Sequence, residues 1–121
     1  MLCRVLIVED NPDLAEAMAV LLGLCGFTTA KAGTGGLALE KARAFRPEVV
    51  LMDICLPDMD GYQAAAAIRN AYDSSDSLFI AISAGDPDLR SPYSREARFD
   101  YYMIKPVDLN LLVRILSKQA N

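Results

Sequence analysis

The 121-residue chain contains no histidine. That absence removes imidazole metal sites, Ser–His and Cys–His nucleophilic pairs, and any role as a phosphohistidine carrier. Cysteine is sparse: Cys3, Cys25 and Cys55 are odd in number and widely spaced, with no Cys-x-x-Cys. Neither a disulfide framework nor a zinc site is indicated, and reduced, partly buried thiols are expected. Positive charge is also thin, since 12 Lys and Arg against 16 Asp and Glu leave a formal charge of −4 with no basic cluster. A nucleic-acid surface is therefore not expected. No apolar run reaches membrane-spanning length and the N-terminus lacks a signal-peptide pattern, so a cytoplasmic protein without membrane contact is expected. Gly33, Gly35 and Gly36 do not form a phosphate-loop pattern and read as loop residues.

What is present is ordinary in bulk, 53% hydrophobic and 23% charged, and fits one domain over 1–121 with one core. The informative stretch is residues 49–61, VVLMDICLPDMDG. Its apolar run is continuous rather than alternating, as in a strand buried on both faces of a parallel sheet, and it ends on a carboxylate, Asp53. Pro57 and the acidic turn that follows stop the strand before an alanine-rich helix over about 62–72. In open α/β sheets the carboxyl ends of the strands are where ligands bind.

Earlier in the chain, residues 4–8 form a second β-branched run ending in Glu9-Asp10. Asn11-Pro12 is a helix start, with Leu14, Ala17, Met18, Leu21 and Leu22 at helical spacing and Gly26 as the stop. Residues 27–32 predict a strand, Thr34 can cap a second helix, and Pro47 ends it. Residues 78–82 predict another buried strand ending on Ser83, and residues 101–104 a last short one ending on Lys105-Pro106. Asp108 caps a final amphipathic helix bearing Leu111, Leu112, Ile115 and Leu116. Five strands alternating with five helical segments predict an α/β, doubly wound five-stranded parallel sheet with helices on both faces.

With the strand ends on one edge, Glu9, Asp10, Asp53, Ser83 and Lys105 converge. Crowded carboxylates raise one another's pKa unless a cation sits among them, and an all-oxygen donor set favours a hard ion such as Mg2+. One carboxylate can then act as a nucleophile toward phosphorus, with Mg2+, Lys105 and the Ser83 hydroxyl neutralising the phosphoryl oxygens. Asp58 and Asp60 read as turn formers rather than ligands.

The run V5-L-I-V-E9-D10-N11, the run D53-I-C-L-P57-D-M-D60-G61, then Ser83-Ala84 and Lys105-Pro106 together resemble the receiver domain of two-component response regulators, over essentially the whole chain. The resemblance implies a flavodoxin-like sheet of order 2-1-3-4-5. It implies that Asp53 accepts a phosphoryl group from a histidine kinase or histidine phosphotransfer protein. Asp10, Asp53 and the Cys55 backbone carbonyl would hold Mg2+, with Glu9 acting through a water. Lys105 would contact the phosphate ahead of a proline whose peptide bond is usually cis, while Ser83 and Tyr102 would be the switch residues. A half-buried strand aromatic also fits Tyr102, and Tyr101 beside it leaves the facing open.

Two other functions stay in view: a receiver-like interaction module that binds a partner without phosphorylation, and a small-molecule phosphatase or phosphotransferase. The intact Asp-Asp-Lys set argues against the first. The second commonly uses another acid two residues after the nucleophile, where this chain has Cys55. The resemblance fails mainly after Ser83, where a regular fourth helix and a small-residue turn would be usual. Here Pro87 and Pro92 interrupt the segment and Arg98-Phe99 follow it. A proline inside a helix costs about 3 kcal/mol, so the expectation is an extended or single-turn stretch through Arg90, then a short, loosely held helix from near Pro92 to about Arg98.

Overall fold

A computed structural model describes residues 3–85 and 91–120, with the backbone alone for 119 and 120. Its strands are β1 (Arg4–Val8), β2 (Thr28–Ala32), β3 (Val49–Asp53), β4 (Leu78–Ser83) and β5 (Tyr101–Ile104). Its helices are α1 (Pro12–Leu24), α2 (Gly35–Phe45), α3 (Gly61–Ala71), α4 (Ser94–Ala97) and α5 (Leu109–Ala120). The strands pair in parallel, as the sequence pattern predicts, and in the order β2-β1-β3-β4-β5 that the family resemblance implies.

Alternate residues of each strand serve opposite faces. Val5, Ile7, Val49, Leu51, Ile80 and Ile82 pack with Met18 and Leu22 of α1 and Leu112 and Leu116 of α5. Leu6, Val8, Val50, Met52 and Phe79 pack on the other side with Ala38 and Ala42 of α2, Ala65 and Ile68 of α3, and Ala97 of α4. Both faces of the central strands are apolar for this reason, and the signal in β3 is a continuous run rather than alternation.

The helix starts are chemically specified. Asn11 Oδ1 accepts from Asp13 N at 3.0 Å and Leu14 N at 3.3 Å, Thr34 Oγ1 accepts from Leu37 N at 3.1 Å, and Asp108 Oδ1 accepts from Leu111 N at 3.1 Å. α1 stops through Gly26, whose φ of 96° suits a residue without Cβ. Phe27 N then donates to Leu22 O at 3.0 Å, so Phe27 closes the helix and enters the core instead of opening β2, which starts one residue later than the sequence predicts.

The last third departs more. α4 spans four residues, shorter than the expected 92–98, and Arg98 leaves it in the left-handed region at φ 49°. Residues 86–90, where the extended or single-turn stretch is expected, lie outside the described residues. The helix is held at its C-terminal end: Ala97 is fully buried, and Arg69 of α3 clamps the carbonyls there. The Arg69 side chain is 6% exposed, stacks 3.7 Å from the Phe79 ring centroid, and donates to the carbonyls of Ala97 at 3.2 Å, Arg98 at 2.7 Å and Ser74 at 3.1 Å. A guanidinium has enough donors to serve three carbonyls at once. Asp100 completes the corner, its Oδ2 accepting from Phe79 N and its N donating to Phe79 O, both at 2.8 Å.

Arg69→Leu keeps the apolar stem but leaves those carbonyls without their donor, and is expected to lower the unfolding free energy by about 3 kcal/mol in urea titration. A loss below about 1 kcal/mol would show that water replaces the guanidinium without penalty.

Candidate functional site

The parallel order brings the carboxyl ends of β1, β3, β4 and β5 to one edge. Val8 pairs with Met52, so the residues immediately after them, Glu9 and Asp53, end neighbouring strands. Both are acidic and both are 4% exposed, whereas Asp10 is exposed. One carboxylate oxygen from each of Glu9, Asp10 and Asp53 falls in a group whose members lie within 4.8 Å of one another. Lys105 arrives from the end of β5, its Nζ 3.2 Å from Asp53 Oδ2 and 3.0 Å from Glu9 Oε1. Its backbone N donates to Ser83 O at 2.7 Å, which fixes the chain from which the ammonium extends, and its peptide bond to Pro106 is cis.

The remaining bonds orient the carboxylates. Cys55 N donates to Asp53 Oδ1 at 3.0 Å, and Asn11 N donates to Glu9 Oε2 at 3.1 Å. Glu9 Oε1 is buried with no hydrogen bond, its contact with Lys105 being an ion pair without hydrogen-bond alignment. Burial raises the Glu9 pKa above the ordinary carboxylate value, against the Asn11 N–H and Lys105, and the neighbouring Asp53 pushes it further up. Burial pulls the Lys105 ammonium the other way, but the Glu9 and Asp53 carboxylates outweigh it and hold its pKa above the ordinary lysine value. Three carboxylates face one ammonium, an excess of negative charge with all-oxygen donors.

Of the remaining residues singled out from sequence, Ser83 is half-buried at the end of β4, its Oγ accepting from Gly85 N at 3.2 Å. Cys55 is exposed and adjoins Asp53 through its N–H. Tyr102 is 39% exposed on β5 with its ring against Phe99, while Tyr101 is 46% exposed.

The family model for the response regulator receiver domain matches residues 5–117. The chain belongs to that family. Among solved structures, a CheY-like receiver domain from Methylobacillus flagellatus superposes with a TM-score of 0.85 at 32% identity, covering 98% of this chain and 99% of that one. Protein PilH of Pseudomonas aeruginosa is 29% identical over 116 residues, 96% of each chain. The DNA-binding response regulator MtrA of Mycolicibacterium smegmatis is 34% identical over 103 residues, 85% of this chain but 44% of MtrA. This receiver domain thus spans nearly all of one relative and less than half of another. Among its described residues, no helix is long and apolar enough to cross a membrane.

The loop that carries Cys55 past Asp53 is built into the receiver domain at two points. Gly61 N donates to Ile54 O at 2.7 Å, and a Cβ on Gly61 would lie 2.5 Å from Asp53 O, so only glycine lets α3 start against the strand end. Asp58, expected as a turn former, instead reaches across to the start of α2, its Oδ1 accepting from Gly35 N at 2.8 Å and its Oδ2 from Gly36 N at 2.9 Å. Local reading could not find this, because the partners lie 22 and 23 residues away. Asp60 caps α3, its Oδ1 accepting from Gln63 N at 2.8 Å, a role its place before the alanine-rich run does signal.

The Gly35 N–H first, then that of Gly36, hold the Asp58 pKa below the ordinary aspartate value. A carboxyl with a depressed folded-state pKa stabilises above its unfolded pKa, and that contribution is lost as pH falls through the folded value. Asp58→Ala is expected to lower the urea midpoint modestly at pH 7, since the group is exposed and screened, with the gap to wild type closing as pH drops below the ordinary aspartate range. A gap independent of pH would show that the carboxylate charge does not matter there.

Proposed function

We propose that this receiver domain is a phosphoacceptor switch in a two-component or phosphorelay pathway, in which Asp53 takes a phosphoryl group from a histidine kinase or histidine phosphotransfer protein in a Mg2+-dependent reaction. The observation that carries this is the Asp53 carboxylate itself, buried, tethered at Oδ1 by Cys55 N and at Oδ2 by Lys105, with Asp10 and Glu9 beside it. Tethering removes rotational freedom from the nucleophile before the donor arrives. The donor's imidazole N–P bond breaks as an Asp53 O–P bond forms, and the imidazole leaves with the electron pair and is protonated by solvent.

The donor set fits a hard divalent cation: oxygens only, an excess of carboxylates, and a buried Glu9 Oε1 without a hydrogen bond. Asp10, Asp53 and the Cys55 backbone carbonyl would hold Mg2+ directly, and Glu9 through a water. When bound, the ion neutralises charge on the phosphoryl oxygens. Lys105 exchanges carboxylate contacts for a phosphoryl oxygen, and Ser83 leaves Gly85 N to follow it. Tyr102 is the aromatic that reorients with Ser83, and the changed surface signals to a downstream protein in the cytoplasm. Within this family the chemistry is self-directed: the domain catalyses its own phosphorylation and dephosphorylation.

Incubation with Mg2+ and acetyl phosphate is expected to give an acid-stable, base-labile mass adduct on Asp53, and none in Asp53→Asn, because an amide is a poor nucleophile. Uptake at wild-type level in that variant would place the acceptor elsewhere. In a separate measurement by calorimetry, Asp10→Asn is expected to weaken Mg2+ binding several-fold or more, since one of the charged ligands is removed. An unaltered titration would remove Asp10 from the metal site.

A further inference from the structure

Three aromatic rings run in contact from α3 to the edge strand β5. Tyr62 of α3 is 1% exposed and forms the fixed end. Phe99, in the connection between α4 and β5, meets it edge to face with centroids 5.6 Å apart and planes at 76°. Tyr102 then meets Phe99 at 5.7 Å and 63°. Phe99 cannot easily follow a moving partner, because the backbone on both sides of it is held. Arg98 O accepts from Arg69 Nη2 at 2.7 Å, and Asp100 is bonded twice to Phe79 at 2.8 Å. Tyr102, by contrast, is 39% exposed and sits on a short edge strand.

We propose that Phe99 is a positioning residue that holds Tyr102 in its resting orientation and so sets the switching equilibrium of this domain, a role that rests on the reading of Tyr102 as the switch aromatic. A contact made in one of two states and broken in the other biases the equilibrium toward the first by its own free energy. Reorientation of Tyr102 breaks the Phe99 contact, while Phe99 stays on Tyr62. The residue acts through Tyr102 and touches no reacting atom. Every receiver-type switch must move away from its resting state, and in this chain the Phe99–Tyr102 contact opposes the move.

The test uses beryllium fluoride with Mg2+ as the phosphoryl mimic and protein labelled with 3-fluorotyrosine, the Tyr102 resonance being assigned with Tyr102→Phe. Phe99→Leu keeps apolar bulk and removes the ring. It is expected to bind the mimic about two- to tenfold more tightly, the size of one edge-to-face aromatic contact. Its Tyr102 resonance without the mimic should move part of the way toward the mimic-bound position, and its affinity for Mg2+ alone should be unchanged. Phe99→Tyr restores the ring and should behave as wild type. Phe99→Met provides a second ring-free variant should Phe99→Leu fold poorly.

Unchanged or weaker mimic binding in the ring-free variants, with a wild-type Tyr102 resonance, would overturn the role of Phe99 while leaving Tyr102 as the switch. Equal tightening in Phe99→Tyr and Phe99→Leu would also overturn it, because the ring would not be the cause. A wild-type Tyr102 resonance that the mimic does not move would overturn the switch reading of Tyr102, and the role of Phe99 with it.

Discussion

Glu9 and Asp53 end adjacent strands and are both almost wholly buried, a placement that mutual repulsion and desolvation would oppose without a cation between them. Lys105 supplies that cation, 3.0 Å from one and 3.2 Å from the other. The rest of the molecule can be understood as the means of bringing this ammonium to those carboxylates. Parallel strands put all carboxyl ends on one edge, and the order β2-β1-β3-β4-β5 makes β1 and β3 neighbours at the point where the winding reverses. β5 then carries Lys105 in from the far side of β4, with its backbone N bonded to Ser83 O. The ammonium does not balance the charge of the three carboxylates, and the surplus is of the kind a divalent cation would offset.

Around this centre the chain is fixed in some places and adjustable in others. The loop after β3 is fixed: Gly61 lets α3 press against the strand end, and Asp58 ties the loop to the start of α2. Such rigidity sets the orientation of the Asp53 carboxylate in advance. The corner after α4 is fixed by a different device, the Arg69 guanidinium shared among three carbonyls. Between these anchors lie the groups with partners they can exchange, namely Lys105 on two carboxylates, Ser83 Oγ on Gly85 N, and Tyr102 on Phe99. The proposed switching rests on such a division, because small movements at a site become discrete changes only against rigid surroundings.

The placement of Arg69 and Phe99 gives the truncated α4 a meaning that its length does not. The described helix is four residues long, and its C-terminal end is anchored. A helix of four residues cannot hold itself by its own hydrogen bonds, so its position must come from tertiary contacts, here a buried Ala97 and the Arg69 clamp. The aromatic at position 99 occupies the space beside Tyr62 that a small residue would leave open.

The sequence by itself determined the five strands, the helix starts at Asn11, Thr34 and Asp108, the parallel sheet, and the convergence of Glu9, Asp10, Asp53, Ser83 and Lys105. These follow from local chemistry: β-branched runs, capping side chains, and acids or a lysine at strand ends, all readable within a few residues. Tertiary structure alone decided that Asp58 caps a helix more than twenty residues away, that Phe27 closes α1 instead of opening β2, and that Arg69 clamps the end of α4. It also placed the Tyr102 ring against Phe99 and the Ser83 Oγ against Gly85 N. For Asp58 and Arg69 the side chain's partner is remote in sequence, and a carboxylate or a guanidinium satisfies whichever unpaired group the packing brings to it. Local pattern can say that such a residue needs a partner; only the folded chain supplies which one.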